Sequence, residues 1–125
     1  MVKQPTPNNN TLELVNAIVT AVQEKKGQAI VSLNLSGLDN AICQYFIVCN
    51  ANSTTQVGAI ADGVSDKVLE ILDEKPIHSE GYDNCLWVLL DYGDVVLHVF
   101  QTEQRDFYKL EDLWADAKRT NYEDE

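Results

Sequence analysis

Trp87, Asp91, His98, Arg105 and Tyr108 all fall in the run WVLLDYGDVVLHVFQTEQRDFYKLEDLW, from Trp87 to Trp114. Two strand-like runs there flank Tyr92-Gly93-Asp94, and a Gly-Asp turn between β-branched residues is a strong hairpin signal. With a two-residue turn, one face of the hairpin carries Leu86, Val88, Leu90 and Tyr92 opposite Val95, Leu97 and Val99. The other carries Trp87, Leu89 and Asp91 opposite Asp94, Val96, His98 and Phe100, and the parity is the same whether the turn is centred on Tyr92-Gly93 or Gly93-Asp94. The first set is aliphatic core. The second mixes aromatic rings, an imidazole and carboxylates, which suits a recognition surface because large aromatics are enriched at interface hot spots. The competing reading is that a helix covers this face and makes Trp87 ordinary core. His98 taken alone reads as a structural residue rather than a pH switch. Arg105, positive amid Glu103, Asp106, Glu111 and Asp112, is expected to pair locally with a carboxylate, and an exposed pair of that kind contributes under about 1 kcal/mol.

Templates for catalysis find little support. There is no G-x-G-x-x-G or Walker loop, and Gly58 and Gly63 sit within a helical pattern. The two histidines, His78 and His98, lack metal-site spacing, and no G-x-S-x-G elbow is present. Asp91 and Asp94 flank a turn where a divalent ion could sit, but aspartate at a hairpin end is usually turn chemistry. Cys43, Cys49 and Cys85 are odd in number with no C-x-x-C pair, so reduced structural thiols are expected. Neither a catalytic group nor a metal nor a cofactor is expected.

The elements that must position these residues read as follows. A chain of 125 residues with 45% apolar content is one domain with a core of its own. Residues 1–9 are polar and proline-bearing, read as a mobile tail; 10–119 form the domain; 120–125 read as an acidic, fraying tail. Asn10 can cap a helix with Glu13 three residues on. Leu12, Leu14, Val15, Ile18, Val19 and Val22 form its stripe, and Gly27 is expected to end it in a left-handed conformation. Gln28–Leu35 is a strand with Val31, Leu33 and Leu35 on one side; Ser36 to Asn40 is a loop. Tyr45–Cys49, apolar on both sides, predicts a central strand. Ser53 and Gln56 form an S-x-x-Q capping box for a helix bearing Val57, Ile60, Ala61, Val64, Val68, Ile71 and Leu72, running to Lys75 before Pro76. A short strand at 77–79 and a turn at 81–84 precede the hairpin. Residues 102–106 are polar, and Leu110, Leu113, Trp114 and Ala117 share a helical face. The sum is a single α/β domain of order αββα(β)ββα with a mixed sheet and flanking helices.

Charge constrains the partner. Twenty acidic against nine basic residues give −11, which opposes broad contact with a nucleic-acid backbone and favours a basic protein partner. A plainer reading is that the charge keeps a small protein soluble. No apolar run approaches a membrane span of about 20 residues, and MVKQPTPNNN has neither the order of a signal peptide nor the arginines of a transit peptide, so a cytoplasmic protein is expected.

The block Trp87–Phe100, continuing through Arg105 and Phe107-Tyr108-Lys109-Leu110-Glu111-Asp112-Leu113-Trp114, resembles the ribosomal silencing factor family, also called Iojap-related. Tyr45–Cys49 followed by Ser53, Gln56 and Val57 is similar to that family's central strand and helix start, and the likeness runs from about Leu12 to Ala117. The resemblance implies a nucleotidyltransferase-like fold without catalysis. It also implies binding to the large ribosomal subunit through the ribosomal protein numbered fourteen, which blocks joining of the small subunit and lowers translation under nutrient limitation. Homodimers are common among such proteins. The expected contacts are Trp87, Asp91, His98 and Tyr108, with Arg105 orienting the loop. The alternative, a nucleotide- or metal-binding enzyme on the same fold, would use Asp91 and Asp94.

Overall fold

The apolar stripe after Asn9 and the strand runs that follow it fold as expected in outline. The computed structural model describes residues 9–38, 41 and 43–124, so the tail at 1–8 and Asp39 and Asn40 of the expected loop lie outside the described residues. In chain order the elements are α1 (Asn9–Glu24), β1 (Gln28–Asn34), β2 (Tyr45–Ala51), α2 (Thr54–Leu72), β3 (His78–Glu80), β4 (Trp87–Asp91), β5 (Val95–Gln101), α3 (Thr102–Tyr108), α4 (Leu110–Leu113) and β6 (Lys118–Asn121). The six strands form one sheet, β3-β4-β5-β2-β1-β6. Among the described residues only β2 and β5 run parallel; β1/β2, β1/β6, β3/β4 and β4/β5 are antiparallel.

The hairpin register puts Trp87 opposite Phe100, Val88 opposite Val99 and Leu89 opposite His98. Tyr92 donates its N–H to the Val95 carbonyl at 2.9 Å, so the turn is centred on Gly93-Asp94, with Gly93 at φ 92° where a side chain would be strained. Val88, Leu90, Val95, Leu97 and Val99 face the main core with α1 and α2, where Ile18, Val22, Ile60, Val64 and Val68 are fully buried. The opposite side of the sheet carries a second, smaller core of Val31, Leu33, Leu35, Phe46, Val48, Val96 and Phe100, closed by Leu110 of α4. β2 lies centrally and is buried on both sides because both layers reach it.

Several local expectations are corrected. α1 starts at Asn9, one residue before the expected cap, and Leu12 is exposed, whereas Thr11 is buried and donates to Asp94 Oδ2 at 3.0 Å. At the end of α1 it is Lys26 that turns left-handed, at φ 66°. Gly27 serves close packing instead, since a Cβ there would come within 2.3 Å of Val22 Cγ1. Ser53 does cap α2 by accepting the Gln56 N–H, but the Gln56 side chain donates to the Lys25 carbonyl and ties the two helices together. α2 ends at Leu72 with Asp73 left-handed, three residues short of Lys75, and Ile71 is exposed.

The largest departures come after the hairpin. The polar run beginning at Thr102 is helical, and the helix expected on Leu110, Leu113, Trp114 and Ala117 is a single turn that leaves Leu113 exposed. The start of the segment expected to fray belongs to β6 and pairs with β1, Thr120 opposite Ser32 and Asn121 opposite Val31. Beyond it Tyr122 donates its N–H to Ile30 and shares a hydrogen bond with Ser32 Oγ, and Asp124 accepts the Ala29 N–H.

Candidate functional site

Trp87 lies half-buried at the start of β4, on the side of the sheet away from α1 and α2. Its ring stacks on Phe100 at 4.7 Å and meets Tyr108 at 4.8 Å, so the cross-strand pair and the end of α3 hold it from two sides. The indole Nε1–H donates to His98 Nδ1 at 3.1 Å. His98 in turn stands edge-on to Phe46 at 4.6 Å, and Phe46 meets Trp114 at 5.9 Å. An aromatic row therefore crosses this face from Trp114 to Tyr108.

His98 is 4% exposed, and burial pushes its pKa down to about 4, so the imidazole is neutral near pH 7. Because Nδ1 accepts the indole hydrogen, the proton sits on Nε2, which has no hydrogen-bond partner among the described residues. The expectation that His98 touches a partner directly does not fit this burial.

Tyr108 is 47% exposed and, beside it, Phe107 is 76% exposed; Leu113 of α4 is 74% exposed. The left-handed Lys109 between α3 and α4, at φ 50°, turns the chain and leaves these three side chains in solvent. The exposure of Phe107 and Leu113 was not anticipated from the sequence. A helical periodicity assigned Leu113 to the core, whereas the chain turns after a single helical turn.

Arg105 faces inward. Its Nε and Nη2 donate to both Glu111 carboxylate oxygens at 3.3 and 2.8 Å, and Nη1 donates to Asn50 Oδ1 at 2.8 Å and the Ala29 carbonyl at 2.6 Å. The expected local carboxylate partner is thus present, but the pair is 10% and 15% exposed and not a surface pair. Ala29 sits in the β1 bulge at φ 51°, so one guanidinium binds α3 to β1, β2 and α4. Burial raises the Glu111 pKa, yet the hydrogen bonds and charge of Arg105, with Arg119 at 3.6 Å, outweigh it and hold the group below its ordinary value.

Asp91 stands at the far end of β4, where its carboxylate accepts the Gly93 N–H at 2.7 Å and stabilises the turn. The fold thus gathers Trp87, His98 and Tyr108, and leaves Asp91 and Arg105 in structural settings of their own. Asp94 is engaged by Thr11, and among the described residues no cluster of histidine, cysteine, aspartate and glutamate could hold a metal ion. Burial raises the Cys43 and Cys49 thiols to about 12, so both stay protonated and are poor nucleophiles. Among the described residues, no helix is long and apolar enough to cross a membrane.

Comparison with known proteins identifies relatives across nearly the full length. The family described as "Ribosomal silencing factor during starvation" matches residues 8–125. A protein named ribosomal silencing factor RsfS from Halalkalibacterium halodurans is 41% identical over 111 residues, covering 89% of this chain and 93% of that one. Its namesake in Bacillus subtilis is 38% identical, covering 86% and 90%. A crystal structure of a Chromobacterium violaceum protein superimposes with a TM-score of 0.79 at 36% identity, covering 84% of this chain and 86% of that one.

Proposed function

The chain belongs to the ribosomal silencing factor family, and from that membership we propose that it docks on the large ribosomal subunit through the ribosomal protein numbered fourteen. Bound there in the cytoplasm, it excludes the small subunit by bulk and represses translation when nutrients are limiting. The observation that supports this reading is the ridge of Phe107 and Tyr108, backed by Trp87, with Leu113 exposed on α4, on a molecule of net charge −11. Aromatic groups left in water next to one another mark a surface that gains from being covered. The surrounding negative charge steers such a surface toward a basic protein and away from bare RNA backbone. Trp87 and Tyr108 are the anchors in this reading, with Phe107 and Leu113 added to them; His98, Arg105 and Asp91 act by holding the fold beneath.

Light scattering of purified subunits mixed in magnesium tests it. Preincubating the large subunit with this protein should abolish joining in a dose-dependent way, saturating near one copy per large subunit. Unimpaired joining with the protein left free in solution would overturn the reading.

A further inference from the structure

His98 is an uneconomical way to fill the space it occupies. It is 4% exposed, one ring nitrogen has no partner among the described residues, and an aliphatic side chain would pack there without burying that N–H. What the imidazole supplies that an aliphatic residue cannot is an acceptor, Nδ1, 3.1 Å from the Trp87 indole nitrogen. That bond fixes the rotation of an indole otherwise held by apolar packing, which includes ring contacts with Phe100 at 4.7 Å and Tyr108 at 4.8 Å. Tyr108 is the exposed member of the chain, and the Trp87 ring is one of its three ring contacts, with Phe100 at 6.4 Å and Phe107 at 5.1 Å. His98 is itself fixed edge-on by Phe46, from the central strand.

We propose that His98 is a positioning residue for docking: by accepting the Trp87 Nε1–H it locks the indole as the platform on which Tyr108 is presented to a protein partner. The inference rests on the docking reading given above. It assigns His98 no contact with the partner, and it leaves Trp87 to offer ring surface and not its N–H, which is already used. A buried donor–acceptor pair with defined geometry orders a side chain more tightly than apolar packing alone.

The substitutions His98→Leu and His98→Asn separate this role from simple core filling. Leucine removes the acceptor, whereas the asparagine oxygen lies near the place of Nδ1 and can accept the same hydrogen. Large-subunit affinity should fall about tenfold in His98→Leu and be largely restored in His98→Asn, the scale of one well-formed hydrogen bond. In a Trp87→Phe background, which lacks the donor, the two His98 variants should bind alike. The Trp87 indole N–H resonance, identified by its absence in Trp87→Phe, should shift in His98→Leu. Undiminished affinity in His98→Leu, or a loss that persists unchanged in Trp87→Phe, overturns the proposal. The unsubstituted site supplies an arm that needs neither ribosomes nor a tolerated His98 variant: in a His78→Gln background the nitrogen resonances of His98 should report the Nε2–H tautomer with Nδ1 as acceptor. A proton on Nδ1 overturns the positioning role whatever the binding data say. If the tautomer is as stated and the wild-type chain ignores large subunits, the docking reading fails, and the role in docking fails with it.

Discussion

At the scale of single residues, Trp87 and Phe107 differ in what they do for the fold, and the difference makes their roles separable. Trp87 is half-buried between Phe100 and Tyr108, whereas Phe107 stands 76% exposed with Tyr108 as its ring contact. Trp87→Ala should weaken large-subunit binding by more than about 2 kcal/mol, as loss of an anchor does. Phe107→Ala should weaken it by about 1 kcal/mol or more while leaving stability within about 0.5 kcal/mol, as exposed substitutions do. Equilibrium binding beside denaturant unfolding decides both; a folded Trp87→Ala protein with unchanged affinity would sink the anchor role. His98 adds a prediction about acidity. Its pKa falls from 6.5 to about 4 on burial, so below pH 6.5 the unfolded chain takes up a proton that the folded chain refuses. The stability it contributes is present above pH 6.5 and is lost progressively as the pH falls toward 4, by a total on the order of 3 kcal/mol. Glu111, held below its ordinary 4.5, yields its contribution at lower pH still, so the interval from 6.5 to 4.5 reports His98. Unfolding free energies measured across that interval should rise with pH, and His98→Asn should flatten the slope; equal slopes would refute the assignment.

At the scale of elements, what could be read from the residues was what apolar periodicity encodes. The β4–β5 hairpin, its two faces, the central β2 and the two long helices all bury regular stripes, and each was legible for that reason. The elements after the hairpin bury almost nothing regular: α3 has no buried residue, and Lys118–Asn121 of β6 is exposed throughout. They form because tertiary partners hold them, chiefly Arg105 bonding Glu111, Asn50 and Ala29, and the β1 backbone pairing with β6. No local pattern carries such information. The aromatic face was recognised, with Trp87 and Tyr108 on it, but the exposure of Phe107 and Leu113 was not, because Leu113 has the helical spacing of a core residue and Phe107 gives no signal except its size. Arg105→Ala tests the tertiary account. It leaves the shielded Glu111 carboxylate and the Asn50 oxygen without their donor, so stability should fall by about 2–3 kcal/mol in denaturant unfolding. Hydrogen exchange of α3 and β6 should quicken more than that of β2. A loss under 0.5 kcal/mol would show that the guanidinium only decorates these contacts.

At the scale of the whole molecule, the proposed docking has charge and apolar surface divide the work of association. Nine cations against twenty carboxylates create a long-range negative field, while the exposed ridge at Phe107 and Tyr108 is uncharged. Fields of this kind act before contact: they raise the encounter rate with a basic protein and are screened over about 10 Å at 0.1 M salt and about 3 Å at 1 M. Apolar contacts act after encounter and are little weakened by salt. The two contributions therefore separate in kinetics. Raising salt from about 0.05 to about 0.5 M should slow association with the isolated ribosomal protein by about tenfold or more, with dissociation changed by less than about threefold. Stopped-flow measurements on that protein avoid the salt sensitivity of the ribosome itself. Phe107→Ala should show the converse, faster dissociation at an unchanged association rate. An association rate indifferent to salt would remove steering from the account and leave the negative charge as an aid to solubility alone. Dissociation accelerating with salt as steeply as association slows would mean that charged groups sit within the contact itself, and the apolar ridge would no longer suffice as its centre.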